Sequence, residues 1–198
     1  TADVTHSGGS FREFVVVLQN DLNLRRADGV PVAPPNGGGA GNPAVEDSED
    51  SGNMAINYKT EPMWTRLNFT PGAGLAATNG LDFTGALSIS NTGVIETPLF
   101  QVPARKPVRF RVLQPGGHPR NAVFALQGHY WRKDVGSPAS PVIGAQAGIG
   151  PGEHWDFIPF HGAGGAFGVP GDYLYRNKVS FGVDAGQWGI LRVTPAAQ

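Results

Sequence analysis

A chain of 198 residues with 15 basic and 16 acidic side chains has a formal charge of −1, so it carries no global field to gather a polyanion, which argues against nucleic acid as a partner. It has no cysteine, which excludes disulfides, thiolate metal ligands and a cysteine nucleophile together. It also has no run of 18 apolar residues, so no membrane span is expected.

In chain order, "FREFVVVLQNDLNL" (11–24) holds a continuous apolar run from Phe14 to Leu18, too short for a typical helix, and is expected to form a buried strand. Residues 25–53 pass through "PVAPPNGGGAGNPAVEDSEDSGN", where proline, glycine and acid forbid a packed element, so a long surface loop is expected. "MAINYKTEPMWTRLNF" (54–69) begins as a strand and turns at Pro62, and a second glycine-rich loop follows. In "ETPLFQVPARKPVRFRVLQPGG" Val108, Phe110 and Val112 alternate with Arg109 and Arg111, which predicts a half-buried strand with its arginines outward. "NAVFALQGHYW", "GEHWDFIPF", "GDYLYRNKVSF" and "GQWGILRVTP" supply further short strands between Gly and Pro signals. No stretch keeps a 3.6-residue period over more than two turns, and there is no internal repeat. With Gly 29 and Pro 17 beside a hydrophobic fraction of 40%, the fold class expected is all-β: an antiparallel Greek-key sandwich or barrel with long loops and little helix.

Few motifs carry chemistry. Glu46, Asp47, Glu49 and Asp50 concentrate acid without the spacing of a calcium loop; they read as a solvated loop, with calcium binding left open. "GAGGAF" and "PPNGGGAGNP" do not follow a phosphate-binding glycine pattern, and no "GxSxG" elbow supports a hydrolase. Asn68 in "NFT" is formally a glycosylation acceptor. His154 and His161 lack a ligand spacing. Trp64, Trp131, Trp155 and Trp188 are stacking platforms if exposed and core residues if not.

Three blocks in fixed order, "NAVFALQGHYW", "GPGEHWDFIPF" and "GDYLYRNKVSFGVDAGQWGILRV", resemble the cupredoxin domains of multicopper oxidases, especially the C-terminal domains of large ceruloplasmin-like or manganese-oxidase-like bacterial members. The first block is similar to the family's "HPxHxHGHxF" and the third to its "GxYxYHCHxxxHxxxGMxGxxxV". "REFVVVLQND" and "INYKTEP" resemble segments nearer the N-terminus of such domains. The resemblance implies a single cupredoxin-like domain over residues 1–198, with loop insertions at about 25–53 and 70–94, and an extracytoplasmic address.

Taken residue by residue, the resemblance places Asn177 at the type 1 copper cysteine, Gly182 and Ala122 at its histidines, and Gln187 at the axial position. Blue copper needs thiolate and imidazole, which these residues do not supply. The trinuclear-cluster histidines correspond to Ala125, Gln127, Arg176 and Lys178. Strand alternation puts Tyr175, Asn177, Val179 and Phe181 on one face and Arg176, Lys178 and Ser180 on the other. Two cations there would repel Cu(II) and suit a carboxylate on a neighbouring surface, so Arg176 and Lys178 are the candidate interface residues. His129 fills a non-ligand histidine of the family and is expected to be structural, while His118 in "GGHPRN" resembles a loop histidine and is the one residual metal candidate.

Asn177 and Gln187 then need hydrogen-bond partners, each other among them. The function expected is a copper-free, non-catalytic domain, without cofactor or catalytic residue, serving packing, assembly or contact with neighbouring cupredoxin domains or identical subunits. Two alternatives stay open. One is a component of an active multicopper oxidase whose copper and dioxygen chemistry lies in other domains or chains; the other is a stand-alone β-sandwich that binds or self-assembles.

Overall fold

The computed structural model describes residues 1–31, 52–69, 85–87, 95–116, 121–179 and 182–196. One sheet runs in the order β1 (Ala2–His6), β2 (Gly9–Gln19), β5 (Val108–Gln114), β10 (Glu153–Phe157), with the short β3 (Ala55–Ile56) on the far end of β2. The second runs β4 (Leu99–Pro103), β12 (Trp188–Thr194), β11 (Gly171–Asn177), β6 (Ala122–Leu126), β9 (Ala145–Ile149). A two-stranded ribbon of β7 (Trp131–Arg132) and β8 (Val142–Ile143), a one-turn helix α1 (Met63–Arg66) and a 3-10 turn (Gly165–Phe167) complete the described elements. Pairing is parallel between β2 and β5 and between β4 and β12, and antiparallel elsewhere. Two mixed sheets packed face to face with very little helix make this an all-β sandwich.

Alternation decides which side of each strand is dry. Along β5, Val108, Phe110, Val112 and Gln114 are buried and Arg109 and Arg111 are half-buried, as the sequence pattern predicts. The parallel register sets Phe14 beside Phe110 and Val16 beside Val112, so both strands send the same face inward. Aromatic rings then bridge the sheets: Phe100 stacks on Phe14 at 4.7 Å and on Tyr175 at 5.2 Å, and Phe124 stacks on Phe157 at 5.1 Å. Ring contacts of this kind add to the area they bury.

Three expectations change. The antiparallel sandwich expected has mixed sheets, with β2–β5 and β4–β12 parallel, because alternation within a strand does not fix the direction of its neighbour. The run from Phe14 to Leu18 is buried on one face only: Val15 is 37% exposed and Val17 half-buried. The outer face of the first sheet is polar, with Arg111 bonded to Glu13 at 2.7 Å and the Arg109 guanidinium 4.5 Å over the Phe11 ring, so nothing there dries Val15. Residues 54–69 form a strand of only two residues, stopped by a tight turn in which Asn57 and Tyr58 both take positive φ, 53° and 61°. Asn57 holds that turn through its side chain, accepting from Val17 N and donating to Val15 O, and α1 forms after Pro62. The sequence reading contains no strand at 2–6, 142–143 or 145–149, where small and polar residues blur the alternation.

A second apolar cluster lies apart from the main core and joins Trp188 and Ile190 of β12 to Met63, Ala86 and Ile95. Gly189 stands between those two β12 residues, and Tyr175 opposite it fills the space a side chain would take. A β-carbon on Gly189 would overlap the Tyr175 phenol and lie 2.6 Å from Pro98 O, which accepts from Tyr175 Oη at 2.7 Å.

Candidate functional site

The end of β11, the connection that follows it and the start of β12 bring Asn177, Gly182 and Gln187 together, as the resemblance implies. Asn177 N donates to Gln187 O (3.0 Å), Gln187 N to Gly182 O (2.7 Å) and Gly182 N to Val179 O (2.8 Å), closing a compact loop. A β-carbon on Gly182 would lie 3.3 Å from that of Asn177 and 3.0 Å from its carbonyl oxygen. Ala122 opens β6 inside the main core, and its neighbour Val123 donates its N–H to Asn177 Oδ1 at 2.9 Å.

The buried amides complete each other. Asn177 Nδ2 donates to Gln187 Oε1 at 2.6 Å, while Asn177 Oδ1 also accepts from Val179 N at 3.1 Å. Gln187 Nε2 donates to Gln19 O and to Asn20 Oδ1, both at 2.9 Å. Gln19, Asn20, Asn177 and Gln187 are all buried. A network that crosses from one sheet to the other in low dielectric stabilises only when its members are satisfied, and Asn177 and Gln187 are. Gln19 and Asn20 were not read as part of this site from the sequence. The available signal was a pair of amides ending an apolar strand, at Leu18-Gln19-Asn20.

Copper does not fit these residues. A methyl group, a hydrogen atom and two amides already committed to protein partners offer it neither thiolate nor imidazole. Among the described residues no group of three or more His, Asp or Glu side chains could hold a metal ion. His118, Glu46 to Asp50, Ser180 and Phe181 lie outside the described residues.

On the other side of β11 the cluster positions meet at a surface cleft of about 580 Å³, whose lining includes Ala125, Gln127, Arg176 and Lys178 together with Leu87 and Leu174. Arg176 is half-buried and Lys178 exposed, and among the described residues neither side chain has an ion-pair or hydrogen-bond partner. Two other strand arginines are matched within the chain. Arg12 bonds Asp3 and Arg192 bonds Asp172, each with a contact at 2.7 Å, and each guanidinium holds its carboxyl below the ordinary value of 3.8.

His129 also lines the cleft, and both ring nitrogens are used inside the chain: Nδ1 sits 2.7 Å from Gln127 O, and Nε2 accepts from Gly164 N at 3.1 Å. That pattern requires a neutral ring protonated on Nδ1. Burial pushes its pKa below the ordinary 6.5, against a smaller upward effect of the Gln127 carbonyl. With the folded value depressed, the stability His129 contributes is fully present above about pH 6.5 and is lost as pH falls. The urea midpoint is expected to drop more on acidification in the wild type than in His129→Gln; equal pH profiles would refute the assignment.

Trp64, Trp131 and Trp188 are buried and Trp155 is half-buried against the core, so tryptophan platforms give way to the core reading. His154 and His161 are exposed.

No family model and no curated protein matches the chain. Among solved structures it is similar to a multicopper oxidase, at 11% identity over 92% of this chain and 44% of that one, with a TM-score of 0.48. It is similar to a blue copper oxidase from Nitrosomonas europaea (14% identity, 92% and 43% covered, TM-score 0.49) and to a Cu-containing nitrite reductase from Thermus scotoductus SA-01 (14%, 94% and 32%, 0.47). The chain spans less than half the length of each of these three.

Proposed function

We propose that residues 1–198 are one copper-free, non-catalytic cupredoxin-like domain, serving packing and contact with a neighbouring domain or an identical subunit. The observation that carries this reading is the amide network: the space where the resemblance implies a blue copper site holds Asn177 and Gln187, bonded to each other and on to Asn20. Removing metal donors leaves a fold intact when the remaining polar groups find partners. The fold is then free to act through its surfaces. Any copper chemistry of a longer parent protein is assigned to its other domains, and an extracytoplasmic address goes with the resemblance. Elemental analysis of the purified chain after incubation with Cu(II) and gel filtration is expected to find substoichiometric copper, with no blue absorption band. One retained copper per chain would overturn the reading.

A further inference from the structure

On the outer face of the second sheet two cations stand without a counter-ion among the described residues, unlike three other arginines of the sheets. Arg12, Arg111 and Arg192 lie on sheet strands, and each has a carboxylate of the chain 2.7 Å away. On β11 itself, Asp172 stands opposite Arg192 and is bonded to it. Four residues along the same strand face, Arg176 stands between Ala125 on β6 and Trp188 on β12 and meets no acid among the described residues. Lys178 follows two residues later, and among the described residues no carboxylate lines the cleft they share. A half-buried guanidinium without a counter-ion is an incomplete pair, able to take a carboxylate through two parallel N–H donors.

The apolar part of the lining indicates what else the ligand carries. Leu87, Ala125 and Leu174 flank the two cations, so a carboxylate framed by apolar groups matches the lining better than a bare anion does. Beside the cleft, the 3-10 turn Gly165–Phe167 packs on Gly128, whose carbonyl oxygen would lie 2.8 Å from a β-carbon on Gly165. That turn is held by Gly164 N to His129 Nε2 and by Arg105 Nη2 to Phe167 O (3.1 Å), yet it leaves Phe167 83% exposed. An exposed aromatic on a turn packed against the cleft-lining Gly128 suits a protein-contact surface, in which aromatic side chains serve as anchors.

We propose that the cleft at Arg176 and Lys178 receives an acidic segment of a second, different polypeptide, whose carboxylate is flanked by apolar side chains. This rests on the reading of the domain as a contact module and names its partner's chemistry.

The test uses the full chain and a fluorescent peptide of alternating glutamate and leucine, followed by anisotropy at low salt. The glutamine–leucine counterpart is expected to bind about tenfold more weakly, and R176Q/K178Q to bind the acidic peptide about tenfold more weakly than wild type, while the charge-matched K59Q/K133Q keeps wild-type affinity. The proposal is overturned by equal affinity for both peptides, by an equal loss in both double variants, or by glutarate alone binding as tightly as the peptide. Light scattering that shows a dimer in wild type and a monomer in R176Q/K178Q would also overturn it, since the occupant would then be a second copy. Metal content reads the copper-free core independently, so either conclusion can fail without the other.

Discussion

Gln187→Leu is expected to destabilise the chain by on the order of 4 kcal/mol, read as a lowered urea midpoint with little change in slope. Leucine has similar bulk, so the loss is almost wholly polar. Gln187 is fully buried and is the hub through which Asn177 Nδ2, Gln19 O and Asn20 Oδ1 are satisfied. Each donor or acceptor stranded in the interior costs about 1–3 kcal/mol, because it forfeits water in the folded state and gains nothing in return. Adding Asn177→Leu to Gln187→Leu should cost less than it does in the wild type, with a coupling of about 1–2 kcal/mol, since the amide it removes is already stranded. A cost for Gln187→Leu below about 1 kcal/mol would mean that the network is incidental to stability.

Arg66→Leu is expected to cost about 3–5 kcal/mol, the usual penalty for leaving one buried charge without its partner. The Arg66 side chain is 0% exposed and that of Glu61 10%, with Nη1 to Oε1 at 2.7 Å. Around this pair the chain gathers segments distant in sequence. Arg66 Nε donates to Ala86 O, Glu96 N donates to Glu61 Oε2 at 3.0 Å, and the guanidinium lies 5.5 Å over the Trp188 ring, whose Nε1 donates to Glu61 O. The pair therefore ties α1 to residues 86 and 96 and to β12. Arg66→Leu combined with Glu61→Leu should recover much of the loss, because two apolar groups replace a charge that has nothing to pair with. Equal destabilisation of the single and double variants in thermal or urea unfolding would locate the effect in packing instead of charge.

These interactions show where reading a linear pattern succeeds. Val108, Phe110 and Val112 declare their strand because alternation with Arg109 and Arg111 reflects a single local cause, the two-residue period of an extended chain. Asn177, Gly182 and Gln187 are likewise legible as residues without thiolate or imidazole at positions where the resemblance implies copper donors. Their mutual bonding was foreseeable in outline, two buried amides needing partners. Asn20 was not, because its contact with Gln187 spans 167 residues and depends on how the first sheet is laid against the second. Glu61 and Arg66, five residues apart, look like ordinary surface charges until residues 86 and 96 close over them.

By itself, then, the sequence determined an all-β chain of short strands and the absence of a thiolate, because composition and period are properties of neighbouring residues, while the placing of Ala122, Asn177, Gly182 and Gln187 at type 1 copper donor positions is what the family resemblance implies. Tertiary structure alone decided that Asn177 and Gln187 close into an amide network joining both sheets, that Val15 stays wet, and that Arg176 is left unpaired among the described residues while Arg192, on the adjoining strand, is not. Those outcomes depend on which strands adjoin and which loops cover them. Burial and the pairing of charge are set by long-range packing, which no local pattern encodes.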